Sequence, residues 1–113
     1  MTAELIAPDL LYAEVANILW KKQLRGEMDS ATAQVGARWL LQLPLQVHDS
    51  ASLLADALAM ALRLQHPAYD CFYLALAQRL DAPLVTADRR LHARCQAVDA
   101  AGLGARVRLL ADT

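Results

Sequence analysis

Between Ala82 and Leu110 the hydrophobic pattern changes character, and that change constrains the fold more than any other feature of the chain. Ala82-Pro-Leu-Val-Thr86 is a short apolar run that ends at Thr86-Ala87-Asp88. A helical segment from Arg89 to about Val98 follows, then Gly102-Leu-Gly104 and Ala105-Arg-Val-Arg-Leu-Leu110. Strand, helix and strand at this spacing form a βαβ unit, which requires parallel pairing and a right-handed crossover. The chain is therefore expected to be α/β and not purely helical.

Everything upstream favours helix. Ala and Leu fill 45 of 113 positions while Val, Ile and Thr supply 12, so the sheet must be small. Pro8-Asp9 is expected to open a first helix, which Lys21, Lys22, Arg25 and Gly26 close. Leu11, Val15, Ile18 and Lys22 share a stripe on it, and Glu14 lies inside that stripe, where a carboxylate needs a reason. Asp29-Ser30 caps a second helix running to about Leu43, before Pro44. Leu45-Gln-Val-His48 alternates, as a short strand or an extended link does. Asp49-Ser50 caps a third helix through about Gln65, expected to be core, and His66-Pro67 breaks the chain. Tyr69 to Leu80 forms a fourth helix with Asp70 in its first turn. The length suits one domain, and there are no repeats or linkers.

Composition removes several functions. A net charge of −1 with 57% apolar residues excludes a disordered tail and a protein that binds nucleic acid by bulk charge. Met1-Thr2-Ala3-Glu4 has no basic leader, no stretch suits a membrane span, and a cytoplasmic protein is the expectation. Cys71 and Cys95 form no CxxC and are expected as apolar filler. His48, His66 and His92 share no metal spacing. Trp20 and Trp39 fall at helix positions suited to packing or a subunit contact. The tail Ala111-Asp-Thr113 carries no signal.

The carboxylates hold more interest. Asp88 follows the C-terminal end of a strand, the edge where parallel α/β proteins gather ligands. Asp70 opens a helix after a proline-containing loop, and Glu14 interrupts an apolar helix face. Taken singly, these are a helix cap, a helix-start acid and a snorkelling or paired acid. Taken together, they suit an oxygen-ligand site for Mg²⁺ or Mn²⁺.

Three motifs in order narrow the choice. Leu5-Ile-Ala-Pro-Asp-Leu-Leu-Tyr-Ala-Glu-Val-Ala-Asn-Ile-Leu-Trp20, Tyr69-Asp-Cys-Phe-Tyr-Leu-Ala-Leu-Ala77 and Pro83-Leu-Val-Thr-Ala-Asp-Arg-Arg-Leu91 resemble the PIN domain of VapBC toxin ribonucleases. The resemblance implies a helix-rich, three-layer α/β/α fold with a short parallel sheet. It implies that Glu14, Asp70 and Asp88 are the catalytic, metal-binding acids, with Asn17 and Thr86 supporting them. It also implies Mg²⁺ or Mn²⁺ as cofactor, an RNA substrate, a homodimer and a cognate antitoxin protein as partner. Arg89, Arg90 and Arg94, directly after Asp88, are the nearest candidates for RNA contact.

Relatives of this type begin with a strand that carries one more metal-binding Asp, followed by a helix. Those roughly 25 residues have no counterpart before Leu5, so an N-terminally incomplete domain is expected. A misplaced start, a shortened form and a degenerate relative each fit. Two functional readings follow: a metal-dependent endoribonuclease, or a non-catalytic module that keeps the interaction surface.

Overall fold

The computed structural model describes residues 5–86, 88–98 and 103–110. Met1–Glu4, Ala87, Gly102 and the tail from Ala111 lie outside the described residues, so the sequence readings made there have no structural counterpart. Contacts group the residues up to His48 into one unit and those from Asp49 onward into another.

In the first unit, β1 (Leu5–Pro8) pairs in parallel with β2 (Leu45–His48), Leu5 opposite Leu45 and Pro8 opposite His48. The Asp9 N–H donates to His48 O at 2.8 Å and extends the pairing by one rung. Pro8 thus ends a strand instead of opening a helix. It has no N–H to give the ladder, and a strand terminus is where that loss is cheapest. The crossover consists of two helices, α1 (Leu11–Leu24) and α2 (Ser30–Leu40). Gly26 leaves α1 with φ of +75°, a conformation open to glycine at little cost, and its N–H returns to Gln23 O at 3.0 Å. Asp29 caps α2 as expected, accepting from Thr32 N–H at 2.7 Å. Gly36 of α2 faces Leu19 of α1, where a Cβ would sit in ordinary contact with Leu19 Cδ2 at 3.5 Å. Neither helix has a buried residue. The α1 stripe is half-buried at Leu11 and Val15 and exposed at Ile18.

The second unit starts at Asp49, whose carboxylate accepts from Ala51 N–H at 3.1 Å and starts a 3₁₀ turn over Ser50–Leu53. That turn runs into α3 (Leu54–Leu64). Gln65 ends α3 with a left-handed φ of +54°, and His66 N–H reaches back to Ala61 O at 3.2 Å. This is a six-to-one closing bond made without glycine. Helix α4 (Ala68–Arg79) ends the same way, with Asp81 at φ +52° and Ala82 N–H on Ala77 O at 2.8 Å. The Arg106 guanidinium seals that end on Ala82 O at 2.9 Å and Asp81 Oδ1 at 3.0 Å. Arg79 ties α4 to the 3₁₀ turn through Ser52 O at 2.8 Å.

The βαβ expectation is met. β3 (Leu84–Thr86) pairs in parallel with β4 (Val107–Leu109), and α5 (Arg89–Val98) with the short α6 (Leu103–Arg106) makes the connection. Leu53, Leu64, Leu74, Leu91, Leu103 and Val107 form the core, with Cys71 and Cys95 as free, buried thiols among it. The expectation that α3 is all core needs correction. Ala57, Met60 and Leu64 are buried, while Leu54, Leu58 and Leu62 are exposed on another face. A helix on the outside of a unit buries only one apolar stripe. The chain is a helix-rich α/β protein whose described strands form two parallel pairs, in keeping with the expected helix-rich α/β fold with a short parallel sheet. Among the described residues, no helix is long and apolar enough to cross a membrane.

Candidate metal centre

Thr86 is the last residue of β3, and its Oγ1 accepts from Asp88 N–H at 3.0 Å, fixing the turn into α5. Asp88 Oδ1 then accepts from the N–H groups of Arg90 at 2.9 Å and Leu91 at 3.1 Å. One carboxylate oxygen is thus spent on starting the helix, which leaves Oδ2 for other work. The Leu91 N–H holds the Asp88 carboxyl below the ordinary carboxylate range, with His66 and the Arg90 N–H acting alongside it and burial acting against it. The charged form is what these donors favour.

Asp70 stands in the first turn of α4. Its Oδ2 lies 2.7 Å from His66 Nε2, and Asp88 Oδ2 lies 3.6 Å from the same nitrogen. Asp70, Asp88 and His66 each bring a ligand atom within 4.8 Å of the other two. Both acid side chains are 40% exposed, whereas the His66 side chain is only 2% exposed. The acids face solvent and the imidazole backs them. Asp70, Tyr73, Thr86 and Leu91 also line a small, partly open pocket with Leu84 and Val85, so Asp70 borders a recess of mixed polar and apolar side chains.

Helix breaks create this geometry. The left-handed Gln65 stops α3, Pro67 starts α4, and His66 is held between them one turn ahead of Asp70. On the far side of the ring, Arg94 NH1 is 3.3 Å from His66 Nδ1 and also donates to Gln65 O. His66 is the residue that the sequence did not reveal. Its separation of four from Asp70 was the available signal, hidden by the proline between them.

The other sequence candidates fall as follows. Glu14 is half-buried in the first turn of α1, and its N–H donates to Leu10 O at 3.1 Å. Asn17 is exposed one turn further along the same helix. Both belong to the first unit, and the cluster of Asp70, Asp88 and His66 belongs to the second. Arg89 and Arg90 are exposed beside Asp88, whereas the Arg94 guanidinium is engaged by Gln65 and His66.

Residues 1–96 match the family described as PIN domain. The chain is also similar to Ribonuclease VapC3 of Pyrobaculum aerophilum, with 41% identity over 90 residues, covering 78% of this chain and 69% of that protein.

Proposed function

Because the chain belongs to the PIN domain family, we propose that it is a ribonuclease of the VapC toxin type that works through a carboxylate-held divalent cation. The observation that carries this reading is the pairing of Asp70 and Asp88 beside one solvent-facing point, with their oxygens and His66 within 4.8 Å. Hard oxygen donors at that spacing fit Mg²⁺ or Mn²⁺, ions bound through few carboxylates and several waters. The residues that would hold the ion are Asp70 and Asp88, with Glu14 as the third acid. A divalent cation in such a site supplies an activated water and neutralises charge on a scissile phosphate.

The chain's own groups do the rest. Asp88 stays ionised because the Leu91 and Arg90 N–H groups stabilise its charge. Thr86 fixes the Asp88 backbone. Asn17, one turn beyond Glu14, is the polar neighbour that steadies it in this reading. Arg89 and Arg90, exposed at the start of α5, are placed to meet RNA phosphates, and Arg94 stands behind them. No nucleophilic side chain is needed.

The same reading gives the protein a cytoplasmic setting, a cognate antitoxin and a second copy of itself as partners. Its support is the exposed apolar surface of α1 and α2, where Trp20 and Trp39 are 55% and 64% exposed. The test is cleavage of RNA by the purified chain with Mg²⁺ or Mn²⁺. Cleavage that a chelator abolishes, and that Asp70→Asn, Asp88→Asn and Glu14→Gln each lower at least about 10-fold, supports the reading. Cleavage indifferent to chelator or to these variants removes it.

A further inference from the structure

We propose that His66 is not a ligand of the metal centre but the positioning residue that holds Asp70, with its proton fixed on Nε2 by Arg94. This rests on the reading of Asp70 as a metal-binding acid.

The inference follows from donor and acceptor inventory. A guanidinium has only donors. Arg94 NH1 stands 3.3 Å from His66 Nδ1, so Nδ1 must accept and carries no proton. The ring proton is then on Nε2, which faces Asp70 Oδ2 at 2.7 Å and donates to it. Asp88 Oδ2 is 3.6 Å from that nitrogen, so the hydrogen bond belongs to Asp70. A nitrogen that carries a proton has no lone pair for a cation, although Nε2 lies within the cluster of possible ligand atoms.

Arg94 is held in turn. It donates to Gln65 O, and Gln65 is the left-handed residue that ends α3. The end of α3 thereby sets the Arg94 guanidinium, Arg94 sets the imidazole tautomer, and the imidazole sets the Asp70 carboxylate. With Asp70 Oδ2 on the ring and Asp88 Oδ1 on the start of α5, Asp70 Oδ1 and Asp88 Oδ2 are the oxygens left to meet a cation. Outer partners of this type orient ligands, and their loss costs affinity without loss of a metal bond.

The test is long-range ¹H–¹⁵N NMR of the full chain labelled at histidine, with His66 signals identified by their absence from His66→Gln. The expected result is the Nε2–H tautomer both without cation and with saturating Mg²⁺. An Nδ1–H tautomer, or an Nε2 that loses its proton when Mg²⁺ is added, overturns the proposal. Asp70→Ala alone should keep the Nε2–H tautomer, because the Arg94 donor still faces Nδ1, and adding Arg94→Met should turn it into a mixture. A mixture already in Asp70→Ala would overturn the role given to Arg94. Mn²⁺ titration supplies the functional side. His66→Ala should bind Mn²⁺ about 10-fold more weakly or worse, and His66→Gln, which keeps an N–H donor, should recover most of that loss. Equal loss in both variants counts against a donor role. The tautomer measurement involves no cleavage, so an inactive chain with an Nε2–H ring would refute the ribonuclease reading alone.

Discussion

Helices α1 and α2 carry alanine and leucine as α3 and α4 do, yet only the second pair buries residues. The first pair has no buried residue and leaves Ile18, Trp20, Leu24, Val35 and Trp39 at least half exposed. The second buries Ala57, Met60 and Leu64 on α3 and Cys71, Leu74, Ala75, Leu76 and Ala77 on α4. Apolar content therefore does not decide which helix is core. Packing on several sides does, and α4 is the helix that carries a proposed metal ligand. A carboxylate in the first turn of a fully packed helix has a fixed position. One on an open hairpin, like Glu14, depends more on what else covers that surface.

Stability measurements can break this contrast. Leu74 has no exposure, and Leu74→Ala should cost about 2–5 kcal/mol in denaturant unfolding. Trp39→Ala, at a position 64% exposed, should stay within about 0.5 kcal/mol of the parent. A large loss at Trp39 would mean that α2 is covered in solution, and concentration dependence of that loss would identify a second copy as the cover.

A smaller effect sharpens the role of Asp88. Asp88→Ala removes the acceptor for Arg90 and Leu91 and should cost about 1 kcal/mol, while Asp88→Asn keeps the acceptor and loses little. The carboxyl is depressed below its ordinary 3.8, so its stabilising share is complete above that value and is lost as pH falls through the lower folded value. Acid titration of stability should therefore be shallower in Asp88→Asn than in the parent below about pH 4. A parallel acid slope in both proteins would show that the N–H donors do not stabilise the charge.

The smallest expected effect is at the thiols. Burial pushes Cys71 up to about 11, with Asp70 and Cys95 adding to the shift. Burial also raises Cys95. Iodoacetamide at pH 8 should leave both unmodified in the native chain and modify both on unfolding. Fast native labelling would show that the core behind the site opens readily.

Local signals carried much of this fold. The strand–helix–strand run was legible because β3, α5 and β4 differ in period and are separated by breakers. Asp29 was legible as a cap because its carboxylate and the Thr32 N–H that donates to it lie three residues apart. β1 was not, since Leu5-Ile-Ala-Pro gains its identity only from pairing with Leu45–His48, forty residues downstream. The alternating Leu45–His48 segment allowed a strand but did not name a partner. In the site, Asp70 and Asp88 stood out as carboxylates at helix starts. His66 did not, because its meaning comes from Asp88 and Arg94 beyond β3 and from a turn that bends the chain without a glycine. The leucines of α3 were ambiguous for the same reason: periodicity marks an apolar face but not how many faces a neighbour covers.

The most direct test of the metal centre is a Mn²⁺ titration followed by electron paramagnetic resonance on the parent chain, Asp70→Asn and Asp88→Asn. Saturable uptake by the parent, weakened at least about 10-fold in each variant, is the expected result. Equal uptake by all three, or none by the parent, would contradict a cation site built from the ends of β3 and α4.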